Sequence, residues 1–261
     1  MKENKVQNLT LFALTWPILI EIMLHMLMGN ADTLMLSQYS DESVAAVGVS
    51  NQVLSVVIVM FGFVAQGAAV LIAQNLGAKN DKSAAQISVM SISVNLWFSL
   101  FLSVILVIGA KQILQLMDLP VEIMGEAMTY MQIVGGLIFV QALIMTTGAI
   151  LRSYGYTKDT MMVTIGMNIL NVVGNYFVIF GPFGFPVLGV AGVAYSTAIS
   201  RFLGFAVLLY FLIKRTDGIL KMKHFFHYQK EHLKALLKIG IPSAGEQLSY
   251  NASQKIGRAH V

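Results

Sequence analysis

Residues 53–76, VLSVVIVMFGFVAQGAAVLIAQNL, contain no charged side chain over their whole length. A bilayer core of ~30 Å is crossed by ~20 helical residues, so this stretch can span it as one helix. Backbone amides in lipid must be satisfied within the segment, and the run is too long for a barrel strand. The stretch therefore predicts a membrane-spanning α-helix.

Five other apolar stretches have comparable length, and a seventh begins near Ala235. The five cover residues 9–36, 84–110, 128–151, 161–180 and 187–213. Apolar residues make up 56% of the chain and charged residues only 11%, whereas soluble domains carry about 25% charged residues. A soluble protein of this size needs more charged side chains on its surface than this composition provides. We predict an all-α, polytopic membrane protein with six crossings and the start of a seventh.

The loops between these stretches differ in charge from one side of the membrane to the other. One side carries thirteen basic residues: Lys2, Lys5, Lys79, Lys82, Arg152, Lys158, Lys214, Arg215, Lys221, Lys223, Lys230, Lys234 and Lys238. The other side carries Lys111 with the acids Asp41, Glu42, Asp118, Glu122 and Glu126. By the positive-inside rule we predict a cell-membrane protein with a cytoplasmic N-terminus. The basic excess thus indicates topology and not a nucleic-acid partner.

A short repeat relates the first and seventh segments. Pro17 and Glu21 recur as Pro242 and Glu246, 225 residues later, each time near the start of an apolar helix that follows basic residues. Six intervening crossings restore the direction of the chain, so the repeat is parallel, which favours a two-lobed transporter. The predicted parts are a six-helix N-lobe at 1–213, a basic inter-lobe loop at 214–236 and the start of helix 7 of the C-lobe at 237–255.

Residues 256–261, IGRAHV, place an arginine in the seventh apolar segment. We expect this hexapeptide to be a non-native tail and exclude it from the fold. We also expect function to require a C-lobe that this sequence lacks.

Charged side chains inside apolar segments are costly and usually functional. The interior acids are Glu21, Asp32 and Glu246, and Arg201 lies within segment 187–213. Glu21, His25 and Asp32 fall within about 40° of one another on a helix, so they form one polar stripe that should face the bundle interior. For His25, a hydrogen bond to a neighbouring helix is the more common alternative. For Glu21, a structural hydrogen bond near Pro17 and a transport role are equally open.

Asp32 lies about four residues from the end of its segment and Asn175 about five from the end of its own, so their depths agree within a few ångströms. Asn171 is one helical turn from Asn175, on the same face. Carboxylate and amide oxygens suit a hard cation, and a buried carboxylate also suits a proton. The alternative is that the asparagines only bridge helices. The spacing leaves both readings open.

Several residues in the segments favour bending or close packing. Pro17 predicts a kink in segment 9–36. Segment 128–151 contains Gly135, Gly136 and Gly148, which favour bending. The run GVAGVA at 189–194 predicts close contact with another helix. The chain has no cysteine, which excludes disulfides, thiolate metal sites and a cysteine nucleophile. It also lacks a His-rich or paired-acid motif in its spans. We therefore predict that the protein is not an enzyme and uses no cofactor beyond a coupling ion.

Six stretches together carry a family resemblance. They are PILIE at 17–21, ADTLM at 31–35, AQNLGA at 73–78, ILRSYGYTK at 150–158, LNVVGN at 170–175 and GVAGVAYST at 189–197. In this order and spacing the chain resembles the multidrug and toxic compound extrusion (MATE) transporters, across six segments and the opening of the seventh.

The resemblance implies twelve helices in two six-helix lobes that export small organic, often cationic, compounds by alternating access, driven by Na⁺ or H⁺. It places an N-lobe cation site at Asp32, Asn171, Asn175 and Thr197, with Na⁺ possible at the first three. In one common family pattern the position of Asn175 is an aspartate. One carboxylate here replaces two, which leaves both Na⁺ and H⁺ open.

We predict that Asp32 is the coupling residue, whose neutralisation lets segment 9–36 rebend near Pro17 and release substrate. The candidate substrate or switch residues are Pro17, Glu21, His25 and Glu246. The alternative is a flippase for a lipid-linked saccharide. Such a protein needs a strongly cationic cavity, whereas the interior cations here are Arg201 and His25. A channel is a further alternative, but the chain has no selectivity-filter signature.

Overall fold

A computed structural model describes residues 11–216, 231–240 and 242, leaving aside the side chains of residues 11, 13 and 25–30. Its helices are α1 (Leu11–Ser37), α2 (Asp41–Gly77), α3 (Asp81–Leu116), α4 (Val121–Gly136), α5 (Ile138–Ser153), α6 (Thr157–Phe180) and α7 (Gly189–Arg215), with a 3₁₀ turn at Pro182–Gly184. Residues 231–240 are also helical. The predictions for the His25 side chain, Glu246 and the tail 256–261 lie outside the described residues.

The described helices form one bundle, and up to five of its units are long and apolar enough to cross a bilayer. By length and composition α2, α3, α6 and α7 can each cross a bilayer, and the bent pair α4 and α5 can together form one more crossing. The 27 residues of α1 measure about 40 Å, which is also enough. Successive crossings are antiparallel, so α1 and α6 run in the same direction. The predicted all-α polytopic fold is confirmed.

Several helices extend beyond the apolar stretches that predicted them. The helix predicted to begin at residue 53 begins at Asp41, because Ser40 caps it: its Oγ accepts hydrogen bonds from the backbone N–H of Glu42 at 3.1 Å and of Ser43 at 3.4 Å. Two acidic residues in the first turn add a favourable interaction with the helix dipole. Hydropathy predicts only the apolar part of a helix, so the sequence did not predict the polar N-terminal end of α2.

The predicted bending of segment 128–151 coincides with a break between α4 and α5. The two helices meet at Leu137 and are bent by 42°, directly after Gly135 and Gly136. A Cβ at Gly136 would stand 3.0 Å from the Val107 side chain on α3, so the glycine permits a close approach there. By contrast α1 is one continuous helix across Pro17.

The small-residue run 189–194 packs α7 tightly against α6. A Cβ at Gly192 would lie 2.6 Å from the Cβ of Val178, and one at Gly174 on α6 would collide with Ser196. The predicted close helix contact is therefore present, and glycines on both helices produce it.

The two ends of the bundle differ in charge, and we name them the basic side and the acidic side. The loop after α2, with Lys79, and the start of α6, with Lys158, lie on the basic side; the loop after α3 lies on the acidic side, with Asp118. On the basic side Arg215 Nε donates to Asp159 Oδ2 at 2.8 Å, which joins the end of α7 to the start of α6.

The helical segment 231–240 packs against α2. Leu236 is buried in a core cluster with residues of α2, α3 and α5, and His232 Nε2 lies 3.1 Å from Ser83 Oγ. A Cβ at Gly67 would stand 2.8 Å from the Leu236 carbonyl oxygen, and one at Gly240 would stand 2.7 Å from the Phe63 carbonyl oxygen. Two glycines thus let the backbones of this segment and α2 touch.

Candidate cation site

A part-buried carboxylate on α1, that of Asp32, contacts one of two linked asparagines on α6. Asn175 Nδ2 donates to Asp32 Oδ1 at 2.6 Å and, more weakly, to Asn171 Oδ1 at 3.4 Å. The two asparagines are one helical turn apart and fully buried. Asp32 and Asn175 thus lie at matching depth, as predicted, and a direct hydrogen bond joins them.

The contact continues to α7. Asn171 Nδ2 donates to Thr197 Oγ1 at 3.1 Å, and Ser196 Oγ donates to the Asn171 carbonyl oxygen at 3.1 Å. Thr197 is buried as well. Asp32, Asn171, Asn175 and Thr197, the four residues predicted as a cation site, therefore lie together; we call them the polar cluster.

The Asn175 amide nitrogen occupies a position that a cation could take. Oxygens of Asp32 and Asn171 converge on it, and an N–H group carries partial positive charge. Asn175 Oδ1 has no hydrogen-bond partner among the described residues. Rotation of this amide would turn its oxygen inward and leave three oxygens around one point, an arrangement suited to a hard cation.

Two further side chains extend the polar interior from α4 and α7. Arg201 lies one helical turn after Thr197, and its charge acts on both Asp32 and Tyr130. Tyr130 is buried, and its hydroxyl donates to Asn51 Oδ1 on α2 at 3.2 Å. The sequence marks Arg201 as an interior charge but does not show that it faces the polar cluster.

Among the described residues, polar contacts join α1 to its neighbours at several levels. Near the basic side Arg152 Nη1 donates to Glu21 Oε1 at 2.8 Å, and Thr160 Oγ1 donates to Glu21 Oε2 at 3.3 Å. Further along, Asn168 Nδ2 donates to the Leu24 carbonyl oxygen at 3.1 Å. The bond between Asn175 and Asp32 is another of these contacts.

The ion pair of Glu21 and Arg152 is a feature that sequence reasoning missed, because Arg152 was assigned to the basic loop. A possible signal is that both residues lie near the basic side of their segments. The Glu21 carboxylate makes structural contacts, and its role in transport stays a prediction.

A cavity of about 740 Å³ opens between α1, α2 and α5. Its walls are mainly apolar and include Ile58 and Met145, while Glu21 and Arg152 line it as well. Gln66 and Gln141 add neutral polar groups. The space can take an apolar or amphipathic organic molecule, and it contains an ion pair that such a molecule could contact.

The bundle of apolar helices around a buried polar cluster and a cavity defines a polytopic membrane protein of transporter architecture. The chain belongs to the MatE family, whose model matches residues 17–177. Members of this family are transporters and not enzymes, in agreement with the sequence prediction.

Two relatives and one solved structure illustrate the match. The chain is 57% identical over 256 residues to an uncharacterized transporter, YisQ, of Bacillus subtilis, covering 98% of this chain and 56% of the relative. It is 34% identical over 243 residues to a probable multidrug resistance protein NorM of Thermotoga maritima, covering 92% of this chain and 52% of the relative. The chain thus spans about half the length of these relatives.

The solved structure is the outward-facing conformation of a multidrug resistance MATE family transporter of the MOP superfamily. It superposes with a TM-score of 0.83 at 24% identity, over 92% of this chain and 53% of that one. At this identity the match shows the fold.

Proposed function

We propose that the chain forms the N-lobe of a secondary active antiporter that exports small organic, often cationic, compounds in exchange for Na⁺ or H⁺. The observation that carries the proposal is the 2.6 Å hydrogen bond between Asp32 and Asn175, which places a carboxylate inside the bundle. A charge in that position is costly, so its presence favours a functional role. Membership of the MatE family and the name of the Thermotoga relative support the same function.

The proposed coupling step acts through α1. Binding of H⁺ or Na⁺ at Asp32 neutralises the carboxylate and changes its bond to Asn175, one of the polar contacts that join α1 to α6. Pro17 lacks a backbone N–H, so α1 has one hydrogen bond fewer at that point and bends there at lower cost. α1 then moves from an arrangement in which the lobe binds substrate to one in which the lobe releases it.

The cavity between α1, α2 and α5 is the proposed substrate space. Its apolar walls suit varied organic molecules, and Met145 can adapt its shape. The Glu21 carboxylate in its wall is paired with Arg152, so the cavity presents a polar ion pair to a substrate. The flippase alternative is not favoured, because Arg152 lines this cavity already paired with Glu21 at 2.8 Å instead of offering free positive charge.

The proposed orientation puts the basic side in the cytoplasm, with the N-terminus. The proposed functional unit also includes a second lobe, which would begin with the segment 237–255. The chain matches about half the length of both relatives, which supports this division.

Efflux measurements test the coupling role. The chain is expressed in an efflux-deficient bacterium, alone and together with the part of the Bacillus relative that it does not match, and export of ethidium is followed by fluorescence. We expect efflux only when both parts are present. Asp32→Asn, which fixes the side chain in a neutral form, should reduce efflux to the background level.

Asp118→Asn is the matched control, since Asp118 is an exposed acid in the loop after α3. It should leave efflux unchanged. Normal efflux by Asp32→Asn would overturn the coupling role. Imposed Na⁺ and pH gradients in vesicles then identify the coupling ion.

A further inference from the structure

Arg201 is a partly buried cation on α7 with no direct partner among the residues that the structure describes. It shares a face of α7 with Thr197, which is one turn earlier and bonded to Asn171. Its Nε atom is buried and has no hydrogen-bond partner, and among the described residues Arg201 forms no salt bridge. Burial of an unpaired charge is unfavourable, so this arrangement calls for a reason.

Asp32 is the one acid whose charge acts on Arg201 within the described part of the chain. The other ionisable neighbour is Tyr130, which is occupied by its hydrogen bond to Asn51. A guanidinium group keeps its proton in proteins, so Arg201 supplies a fixed positive charge to the surroundings of Asp32.

The charge of this region is therefore balanced before any ion arrives. Asp32 contributes one negative charge, Arg201 one positive charge, and Asn171, Asn175 and Thr197 contribute none. Entry of Na⁺ would leave an excess positive charge in a water-poor interior, where like charges repel strongly. With an aspartate in place of Asn175 the balance would instead favour a cation.

We propose that Arg201 is a built-in counter-ion that weakens Na⁺ binding to the polar cluster and so helps to determine the coupling ion. Arg201 acts through Asp32 and touches no transported molecule, so it is a positioning residue. The part of the proposal that concerns coupling rests on the proposed function, while the effect on Na⁺ affinity does not.

Binding of radioactive Na⁺ to the purified chain in lipid nanodiscs tests the proposal, with choline chloride holding the ionic strength constant. Arg201→Gln removes the charge and keeps hydrogen-bonding groups. We expect it to bind Na⁺ at least about tenfold more tightly than the wild type. Arg201→Lys keeps the charge and should retain the weak binding of the wild type, a rescue that a purely structural role would not give.

Two controls locate the effect. Arg215→Gln removes a guanidinium from the same helix, but one that is bonded to Asp159 at the basic side, and should leave Na⁺ affinity unchanged. Asp32→Asn combined with Arg201→Gln should abolish the gain.

If Arg201→Gln does not fold, Arg201→Met removes the same charge with an unbranched side chain and keeps the test decisive. It should also tighten Na⁺ binding. Equal Na⁺ affinities for the wild type and a folded Arg201→Gln or Arg201→Met variant would overturn the proposal, as would identical behaviour of Arg201→Lys and Arg201→Gln. Failure of the proposed function has a different signature: Asp32→Asn would leave efflux intact while the Na⁺ affinities still followed the charge.

Discussion

The Glu21 carboxylate contacts two other helices, through Arg152 of α5 and Thr160 of α6. The side chains of Glu21 and Arg152 are 14% and 30% exposed, so water screens this ion pair only in part. Loss of one partner would leave the other charge poorly solvated, which costs more than the loss of a surface pair.

We predict that Glu21→Gln lowers the free energy of unfolding in detergent by about 1–3 kcal/mol, because Arg152 then lacks its carboxylate. Thermal unfolding followed by circular dichroism measures the change. Glu122→Gln, at an exposed position in the first turn of α4, serves as the control and should change stability by less than about 0.5 kcal/mol. Equal effects of the two substitutions would show that the ion pair contributes little.

At the scale of single residues, the sequence predicted which polar side chains belong to the interior but not which partners they have. Helical spacing placed Asp32 and Asn175 at matching depth, and their contact agrees with that expectation. Their role in cation binding stays a prediction. The position of Arg201 relative to Asp32 depends on the rotation of α7 about its axis, which spacing within one helix does not give.

The contact between α6 and α7 is determined by glycines. Gly174 allows Ser196 to approach α6, and the hydrogen bond from Ser196 to the Asn171 backbone lies beside this contact. Gly204 similarly makes room for Met167. The distance between these helices therefore controls whether Asn171 reaches Thr197.

We predict that Gly174→Ala separates α6 from α7, weakens the bond between Asn171 and Thr197 and lowers the unfolding free energy by about 1–3 kcal/mol, as overpacking usually does. The matched control is Gly166→Ala on the same helix, where an added Cβ meets nothing within 4 Å. That change should be neutral or stabilising, since alanine favours helix over glycine by about 1 kcal/mol. Thermal unfolding of both variants distinguishes packing from helix propensity, and a Gly174→Ala variant as stable as Gly166→Ala would contradict the packing argument.

The elements themselves were largely predictable, because an apolar run of this length has one stable form in lipid. The break between α4 and α5 followed two glycines that the sequence had marked. The polar extension of α2 to Asp41 was not predicted, since a capping serine stabilises a helix end whatever its hydropathy.

The whole bundle also includes the helical segment 231–240, which lies against α2. Its first six residues fall within the predicted inter-lobe loop at 214–236. Contact depends on Gly67 of α2 and on Gly240, where backbone meets backbone with no space for a side chain. Leu236 and His232 complete the interface.

We predict that Gly67→Ala displaces this segment, because its Cβ would stand 2.8 Å from the Leu236 carbonyl oxygen. The chain has no cysteine, so the substitutions Ser83→Cys and His232→Cys, joined by a short thiol-specific cross-linker, report the contact. Gly67→Ala should reduce cross-linking several-fold. Gly48→Ala, on the same helix with nothing within 4 Å of the added Cβ, should leave it unchanged; equal cross-linking in both variants would show that the segment tolerates the added methyl group.

The sequence by itself determined that the chain is a polytopic helical membrane protein, and its ordered motifs pointed to the MatE family. Lipid offers no hydrogen bonds, so apolar length alone specifies spanning helices. Tertiary structure decided which polar groups meet: Glu21 with Arg152, Asn171 with Thr197, and Arg201 with the surroundings of Asp32. These contacts depend on the rotation and separation of helices, which packing between small residues determines and a pattern within one segment cannot encode.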